Sequence, residues 1–199
     1  MNVEEICREA GKHIDEVRKL AEDGDPKAQN CLGACYQRGN GVNRDLDEAF
    51  KWFKKAAEQD YAPAQHALGI CYFAGDGCAA DENEAFKWLK KAANKGDNEA
   101  QGDLGFLYVT KNDYSNGLHW LQKGAEGGYA NAQYMLGSLY IEGKGVKKDN
   151  VKVEYWLNKA AAQGHPEAIN IKNLLKNKKS ANKGCLISII TLFGMIPFN

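Results

Sequence analysis

Cysteine offers the most reactive chemistry in this chain of 199 residues, which contains six of them. Cys71 and Cys78 flank a glycine-rich turn in the stretch ICYFAGDGC, residues 70–78. Two thiols at this spacing could form a disulfide, hold a metal ion or present a reactive nucleophile. A zinc site needs a second pair of ligands, and no such pair follows Cys31 and Cys35 at ligand spacing. The sequence therefore predicts neither a metal site nor a cofactor.

Catalytic motifs are also missing from the sequence. It contains no H-E-x-x-H, G-x-S-x-G, Walker A or dinucleotide-binding pattern. Ser180 and Lys183 match S-x-x-K, but no K-T-G or S-D-N motif accompanies them, which indicates a chance match. Because no motif joins a nucleophile to a base, we predict that the protein is not an enzyme.

The charges balance overall but not along the chain. With 26 basic and 26 acidic residues the formal net charge is zero, so no nucleic-acid partner is predicted. Residues 1–167 carry 21 basic and 26 acidic groups, whereas the remainder carries five lysines and no acidic residue. The first residues, MNVEEICREAGK, are charged from position 4 and lack the apolar core of a secretory signal. We therefore expect a cytoplasmic protein with reduced thiols.

An internal repeat is the strongest feature of the sequence. The pair Leu-Gly recurs at 32–33, 68–69, 104–105 and 136–137, and tryptophan recurs at 52, 88, 120 and 156. The steps are 36, 32 and 36 residues, because the third copy lacks four loop residues. We expect an N-terminal half repeat at 1–24, a solenoid at 25–178 and a basic, then apolar, tail at 179–199. The solenoid contains copies near 28–63, 64–99, 100–131 and 132–167 and a final helix at 168–178.

Each copy predicts two helices, called A and B below. In helix A, apolar residues recur at i, i+4, i+7 and i+8 from the first alanine, which is the pattern of one apolar face. Glycines at 39, 75 and 143 suit the left-handed residue that ends a helix. Aspartates at 45, 81, 113 and 149 suit the N-cap of helix B, and Glu48 and Glu84 would complete a capping box. A lone hairpin cannot bury its apolar face, so the hairpins are expected to stack.

The repeat resembles the Sel-like repeat family, a relative of the tetratricopeptide repeats. The family signature is similar to A-x-x-x-L-G-x-x-Y-x-x-G-x-G-V-x-x-D-x-x-x-A-x-x-W-x-x-K-A-A-x-x-G, and the second copy matches it at Ala64, Leu68, Gly69, Tyr72, Gly75, Gly77, Asp81, Ala85, Trp88, Lys91, Ala92, Ala93 and Gly96. The resemblance covers roughly residues 10–170. It implies an all-α, right-handed solenoid of antiparallel helix hairpins. It also implies a non-catalytic scaffold or adaptor that binds another protein.

The alignment of the copies places the cysteines in apolar positions. Cys78 stands where the first and fourth copies have valine, and Cys35 and Cys71 stand where the third and fourth have leucine. Free cysteine packs in such positions as a small hydrophobe, so we predict framework thiols. A cysteine-rich, secreted branch of the family bridges helices A and B, but the corresponding positions here are Gln29, Gln65, Ala57 and Ala93. That branch leaves a β-lactam-handling enzyme as an alternative function.

The second face of helix A is the predicted binding surface. If the leucine face is buried, the opposite face holds the residues two before and two, five and six after each leucine. In related repeats this face lines a concave groove, and here it is apolar in the middle, which indicates a docking site for a peptide or helix with apolar anchors. Burial by neighbouring helices is the alternative, which the sequence leaves open. The candidate residues are Ile70, Phe73, Phe106, Val109, Tyr134 and Ile141, with Arg38 and His66.

The tail could add a membrane contact. Residues 172–184 are basic, and residues 185–198, CLISIITLFGMIPF, are apolar. The apolar run is too short for a spanning helix, but it could tether an adaptor to a membrane surface. It could also pack against protein as a cap. We favour packing because polar and helix-breaking residues interrupt the run at Ser188, Thr191, Gly194 and Pro197.

Overall fold

A computed structural model describes Cys7 and residues 9–180, with side chains described up to residue 175. Ten helices and their connections form the part between residues 14 and 180, and this part contains no strand. The helices are α1 (Ile14–Glu22), α2 (Pro26–Arg38), α3 (Leu46–Glu58), α4 (Ala62–Ala74), α5 (Glu82–Asn94), α6 (Asn98–Thr110), α7 (Tyr114–Glu126), α8 (Ala130–Glu142), α9 (Asn150–Ala162) and α10 (Pro166–Ser180).

The helices stack as successive hairpins, which confirms the all-α solenoid. Helices α2, α4, α6, α8 and α10 are A helices, and α3, α5, α7 and α9 are B helices. Each helix packs mainly on the one before it and the one after it. Successive A helices also meet, α2 with α4 and α6 with α8, more extensively than any two B helices do. The A helices therefore line the inner, concave side of the stack, and the B helices form its outer side.

Helix boundaries follow the local capping chemistry that the sequence predicts. The side chains of Asp45, Asp81, Asp113 and Asp149 each accept hydrogen bonds from the first turn of the B helix that follows. The A helices of copies one, two and four end at glycines with φ of 71°, 79° and 75°. Asp60 replaces the glycine that follows helix B elsewhere, and it adopts the same left-handed conformation, with φ of 67°.

Only one of the two hydrogen bonds of the predicted capping boxes forms. The Asp45 carboxylate accepts from the Glu48 N–H at 3.0 Å, but the Glu48 side chain binds Lys51 instead of reaching back. The reason is that the Asp45 N–H already donates to the carbonyl of Tyr36 at 2.9 Å, a bond that Asp81 repeats with Tyr72. This contact between helix A and the start of helix B closes the loop of each hairpin, so the N-cap N–H has no need of a glutamate.

Removing one of these caps tests how far each repeat depends on them. Asp81 accepts from the N–H groups of Asn83 and Glu84 at 2.9 and 3.1 Å. The Asp81→Ala variant is expected to lose about 1 kcal/mol of unfolding free energy, because two N–H groups lose their acceptor. Asp81→Asn keeps an acceptor oxygen and should stay within about 0.5 kcal/mol of the wild type. Urea unfolding followed by circular dichroism measures both, and equal losses for the two variants would contradict the capping role.

The core runs continuously through the stack. The leucines of the Leu-Gly pairs, at 32, 68, 104 and 136, have no solvent exposure. Each also belongs to a cluster that joins a B helix to an A helix of the next or the same hairpin. A hydrogen bond also links each A helix to the preceding B helix. The glutamine three residues before each Leu-Gly leucine donates to a carbonyl at the end of that B helix. These glutamines are Gln29, Gln65, Gln101 and Gln133, and the bonds measure 3.0 to 3.3 Å.

The short third copy compensates for its missing loop residues with closer helix packing. Helices α6 and α7 share the most extensive contact of any helix pair. Four glycines, Gly102, Gly105, Gly117 and Gly124, stand in this hairpin, and a methyl group added at any of them would come within 2.7 Å of a neighbouring atom. At Gly105 and Gly124 the atoms at 2.7 Å include a backbone nitrogen of the other helix, so the two helix backbones nearly touch there.

Candidate functional site

The predicted apolar row lies on the concave A helices and is only partly buried. Ile70 and Phe73 on α4 and Phe106 on α6 pack against the core cluster formed by α5, α6 and α7. The rings of Phe73 and Phe106 meet edge to face with their centroids 6.4 Å apart. This contact bridges the second and third copies, so the structure brings these residues together.

The other half of the row belongs to the C-terminal end of the stack. Val109, Tyr134 and Ile141 pack against the cluster that α7 to α10 form, and all three keep part of their surface exposed. The Tyr134 ring stacks on His165 at 4.5 Å between centroids. The sequence left open whether this face is exposed for docking or buried by neighbouring helices, and the structure lies between these two alternatives. Each residue packs against a core cluster and is still only partly buried.

A cleft of about 970 Å³ opens beside this row. It collects all the predicted binding positions of the first copy, Asn30, Ala34, Gln37 and Arg38, together with His66 and Ile70 of the second. The opposite wall is polar and comes from the starts of α6 and α8, where Asp97, Glu99 and Tyr129 line the cleft. Arg38 is exposed at the rim. The other predicted residues, from Phe73 to Ile141, do not line this cleft.

His66 lies in a polar network that joins α4, α6 and the start of α8. Its Nε2 lies 2.8 Å from Oδ2 of Asp103, whose other oxygen accepts from the Tyr129 hydroxyl at 3.0 Å. The Nδ2 of Asn131 donates to the Tyr129 hydroxyl at 2.8 Å. The Asp103 residue is only 4% exposed, so its carboxylate depends on these two partners. The network ties α4 to α6 and α6 to the start of α8.

The network shifts the ionisation of its members. Burial by itself would lower the pKa of His66, but the hydrogen bond to Asp103 and the charges of Asp103, Asp97 and Glu99 outweigh it and raise this pKa above its usual value. Burial and the charge of Asp103 together raise the pKa of Tyr129. His66 therefore binds Asp103 most strongly as an imidazolium, which makes a partly buried ion pair in the wall of the cleft.

Asp103 and Tyr129 were missed by the sequence reasoning, although a signal existed. The position before Leu-Gly holds Cys31, Ala67 and Met135 in the other copies, so a charged residue at 103 breaks an apolar column. A carboxylate in such a column predicts a partner on a neighbouring copy, because buried charges are paired. The partners could not be identified from the sequence, because His66 and Tyr129 are far from Asp103 along the chain.

The cysteine positions at the glycine-rich turn are structural. Cys71 is 1% exposed, as predicted for an apolar position, and burial raises the pKa of its thiol to about 12. The Cys78 thiol donates to the carbonyl of Cys71 at 3.6 Å. Within the described residues, no three His, Cys, Asp or Glu side chains are arranged to hold a metal ion.

The predictions for the tail concern residues outside the described part of the chain. Ser180 is the last residue of α10, and Lys183 and the apolar run 185–198 lie beyond it. Among the described helices, none combines the length and the apolar character needed to cross a membrane. The membrane contact and the cytoplasmic location stay predictions.

Comparison with known proteins identifies the repeat. The model of a family described as the Sel1 repeat matches residues 26–61, 62–97, 99–129 and 130–165. The chain belongs to the Sel1 repeat family. Sel1 repeats mediate protein–protein interaction, and Sel1 repeat proteins are generally non-catalytic scaffolds. No curated protein matches the sequence significantly.

Solved Sel1 repeat structures share this fold. The protective antigen c5321 of uropathogenic Escherichia coli, which displays an SLR fold, is 39% identical with a TM-score of 0.73, over 81% of this chain and 35% of that one. A Sel1 repeat protein from Oxalobacter formigenes is 33% identical with a TM-score of 0.75, over 81% and 66%. The immunity protein Pa5087 from Pseudomonas aeruginosa is 28% identical with a TM-score of 0.59, over 79% and 60%. The chain thus spans less than two thirds of each of these three proteins.

Proposed function

We propose that this Sel1 repeat protein is a non-catalytic scaffold or adaptor that binds a peptide or helix of another protein on its concave side. One observation supports the proposal: apolar residues of three successive A helices, α4, α6 and α8, are only partly buried. A soluble surface normally presents polar side chains, and apolar edges in a row mark a contact surface. Phe73 and Phe106 are suited to be central anchors, since aromatic residues dominate binding energy at interfaces.

The charge around the row indicates what should flank the anchors of the partner. Asp97 and Glu99 line the wall of the cleft next to His66, and the Glu99 side chain is 66% exposed. A lysine or arginine beside the apolar anchors would face these carboxylates, which would favour the encounter and fix the direction of the bound segment. The immunity protein from Pseudomonas aeruginosa shows that an immunity function occurs on this fold, which is compatible with a binding role here.

A peptide library displayed on phage tests the proposal without knowledge of the partner. Peptides selected on the folded protein should carry two or three apolar anchors, and the Phe73→Ala variant should bind them at least about tenfold more weakly. Tyr155 provides the matched control, because it is an aromatic residue on the outer helix α9 with 50% exposure. The Tyr155→Ala variant should bind the same peptides within about twofold of the wild type.

Circular dichroism must first show that both variants keep the helical content of the wild type. Selected peptides that bind Phe73→Ala as tightly as the wild type would contradict docking on the concave row. Weaker binding by Tyr155→Ala would instead place the binding surface on the outer helices.

A further inference from the structure

Three thiols meet at the N-terminal end of the stack, away from the concave row. The Cys31 thiol on α2 lies 3.8 Å from the carbonyl oxygen of Cys7, and Cys35 follows about one turn later on the same helix. Cys7 and Cys31 are partly exposed, whereas Cys35 is 2% exposed. The cluster joins a segment before α1 to the first A helix, and the repeat pattern does not require it, since Cys7 lies outside the four copies.

Helix geometry decides which two thiols can be bridged. Cys31 and Cys35 lie four residues apart on one helix, where the Cβ atoms are about 5–6 Å apart. A disulfide needs a Cβ separation of about 3.5–4.5 Å, so this pair could close only if the helix were distorted. Cys7 comes from a separate segment and approaches Cys31 from outside the helix. A bridge between Cys7 and Cys31 would therefore not require α2 to unwind, because only one of the two residues belongs to that helix.

Contacts within the cluster also change the pKa values of the three thiols. Hydrogen bonding from Cys31 lowers the pKa of Cys7, and the charge of Lys27 assists while burial opposes. Hydrogen bonding from Cys31 likewise lowers the pKa of Cys35 to about 7, with help from Arg38 and against the effect of burial. The pKa of Cys31 is raised, because it acts as the donor to Cys35 and Cys7. The lowered pKa favours the thiolate form of Cys7, which is partly exposed, as Cys31 is.

We propose that Cys7 and Cys31 form a reversible disulfide when the protein meets a small-molecule disulfide such as glutathione disulfide. The Cys7 thiolate attacks one sulfur of the oxidant, whose S–S bond breaks and releases one glutathione as thiolate. Cys31 gives its proton to the released glutathione thiolate and attacks the Cys7 sulfur, which releases the second glutathione as thiolate. Two protein thiols are thereby oxidised, and one glutathione disulfide is reduced to two thiols.

The bridge would fasten the N-terminal segment to the first repeat. This segment already touches the loop after α2, since a methyl group added at Gly41 would lie 2.8 Å from the carbonyl oxygen of Gly11. Oxidation would therefore lock a contact that exists in the reduced protein. Such reversible disulfides in reducing compartments usually serve redox sensing.

The chain supplies an internal control pair. Cys71 and Cys78 are also close, because the Cys78 thiol lies 3.6 Å from the carbonyl of Cys71. Cys71, however, is 1% exposed, and its pKa is raised by burial, so it has little thiolate to offer. Closeness alone would oxidise both pairs, whereas the proposed chemistry oxidises only Cys7 and Cys31.

Peptide mapping in glutathione buffers of increasing potential tests the proposal on the full chain. After alkylation and digestion, the Cys7–Cys31 bridged peptide should exceed any Cys71–Cys78 bridged peptide by at least about tenfold at an intermediate potential. The bridge should persist in the Cys35→Ser variant and disappear in the Cys7→Ser variant. The proposal is overturned if all cysteines stay reduced, if both pairs oxidise at one potential, or if Cys31 pairs with Cys35.

Discussion

The Asp103→Ala variant is expected to lose about 3 kcal/mol of unfolding free energy at about pH 6, a large part of the stability of a domain of this size. The substitution removes the partner of His66 at 2.8 Å and the acceptor of the Tyr129 hydroxyl at 3.0 Å. Both groups stay in the wall of the cleft after the substitution. His66, with a side chain 16% exposed, must then be buried either charged without a partner or neutral.

The loss should depend on pH with a defined sign. In the wild type the pKa of His66 is raised above its value in the unfolded chain, so the pair stabilises fully below about pH 6.5 and its contribution fades as the pH rises through the folded-state pKa. In the variant burial is left as the main influence, which lowers the pKa of His66 and makes the folded state less stable in acid. The difference between the two proteins should therefore shrink to about 1 kcal/mol at about pH 8.5.

Urea unfolding at the two pH values measures this difference, and Glu99→Gln serves as the control. The Glu99 carboxylate lies 3.8 Å from Nδ1 of His66, but its side chain is 66% exposed, so its removal should cost less than about 0.5 kcal/mol. A constant difference between Asp103→Ala and the wild type from pH 6 to pH 8.5 would show that the His66 charge is not involved.

Local chemistry explains why most of the fold could be predicted. The aspartate caps and the glycine terminators act within one turn of helix, so the residue and its neighbours in sequence settle the boundary. Asp60 stands where the other copies have glycine and takes the same left-handed φ. Glu48 was predicted wrongly because the competing partner, the carbonyl of Tyr36, is nine residues away from Asp45 across the loop.

The candidate site could be predicted only as a row of positions. Helical periodicity predicted that Ile70, Phe73 and Phe106 share one side of the A helices, and in the structure all three pack, partly buried, against the same cluster. Periodicity could not tell how much of each side chain a neighbouring helix covers. It also treated His66 as an isolated residue, because its partner Asp103 comes from another copy, and the distance between copies is set by packing rather than by sequence spacing.

Packing distance also differs between copies that look alike in sequence. All four copies have glycine after the leucine of helix A, and only the structure separates their surroundings. A methyl group at Gly105 would lie 2.7 Å from the backbone nitrogen of Leu121, but at Gly137 the matching backbone nitrogen, that of Leu157, is 3.7 Å away. At Gly137 the nearest atoms belong to the Leu157 side chain, which can adjust its rotamer, whereas a backbone nitrogen can move only with its helix.

The Gly105→Ala variant is therefore expected to lose about 2 kcal/mol of unfolding free energy, although alanine is the better helix former by about 1 kcal/mol. The steric cost must exceed that gain, since α7 has to move away from α6 and loses contacts along the whole hairpin. Gly137→Ala is the matched control, with the same substitution at the same repeat position, and it should change the unfolding free energy by less than about 1 kcal/mol. Urea unfolding of both variants under the same conditions shows whether the glycine after the helix-A leucine is needed in every copy or only in the third. Equal losses would mean that glycine at this position has the same role in both hairpins. A larger loss at Gly105 would show that the third copy depends on the close contact between the backbones of α6 and α7.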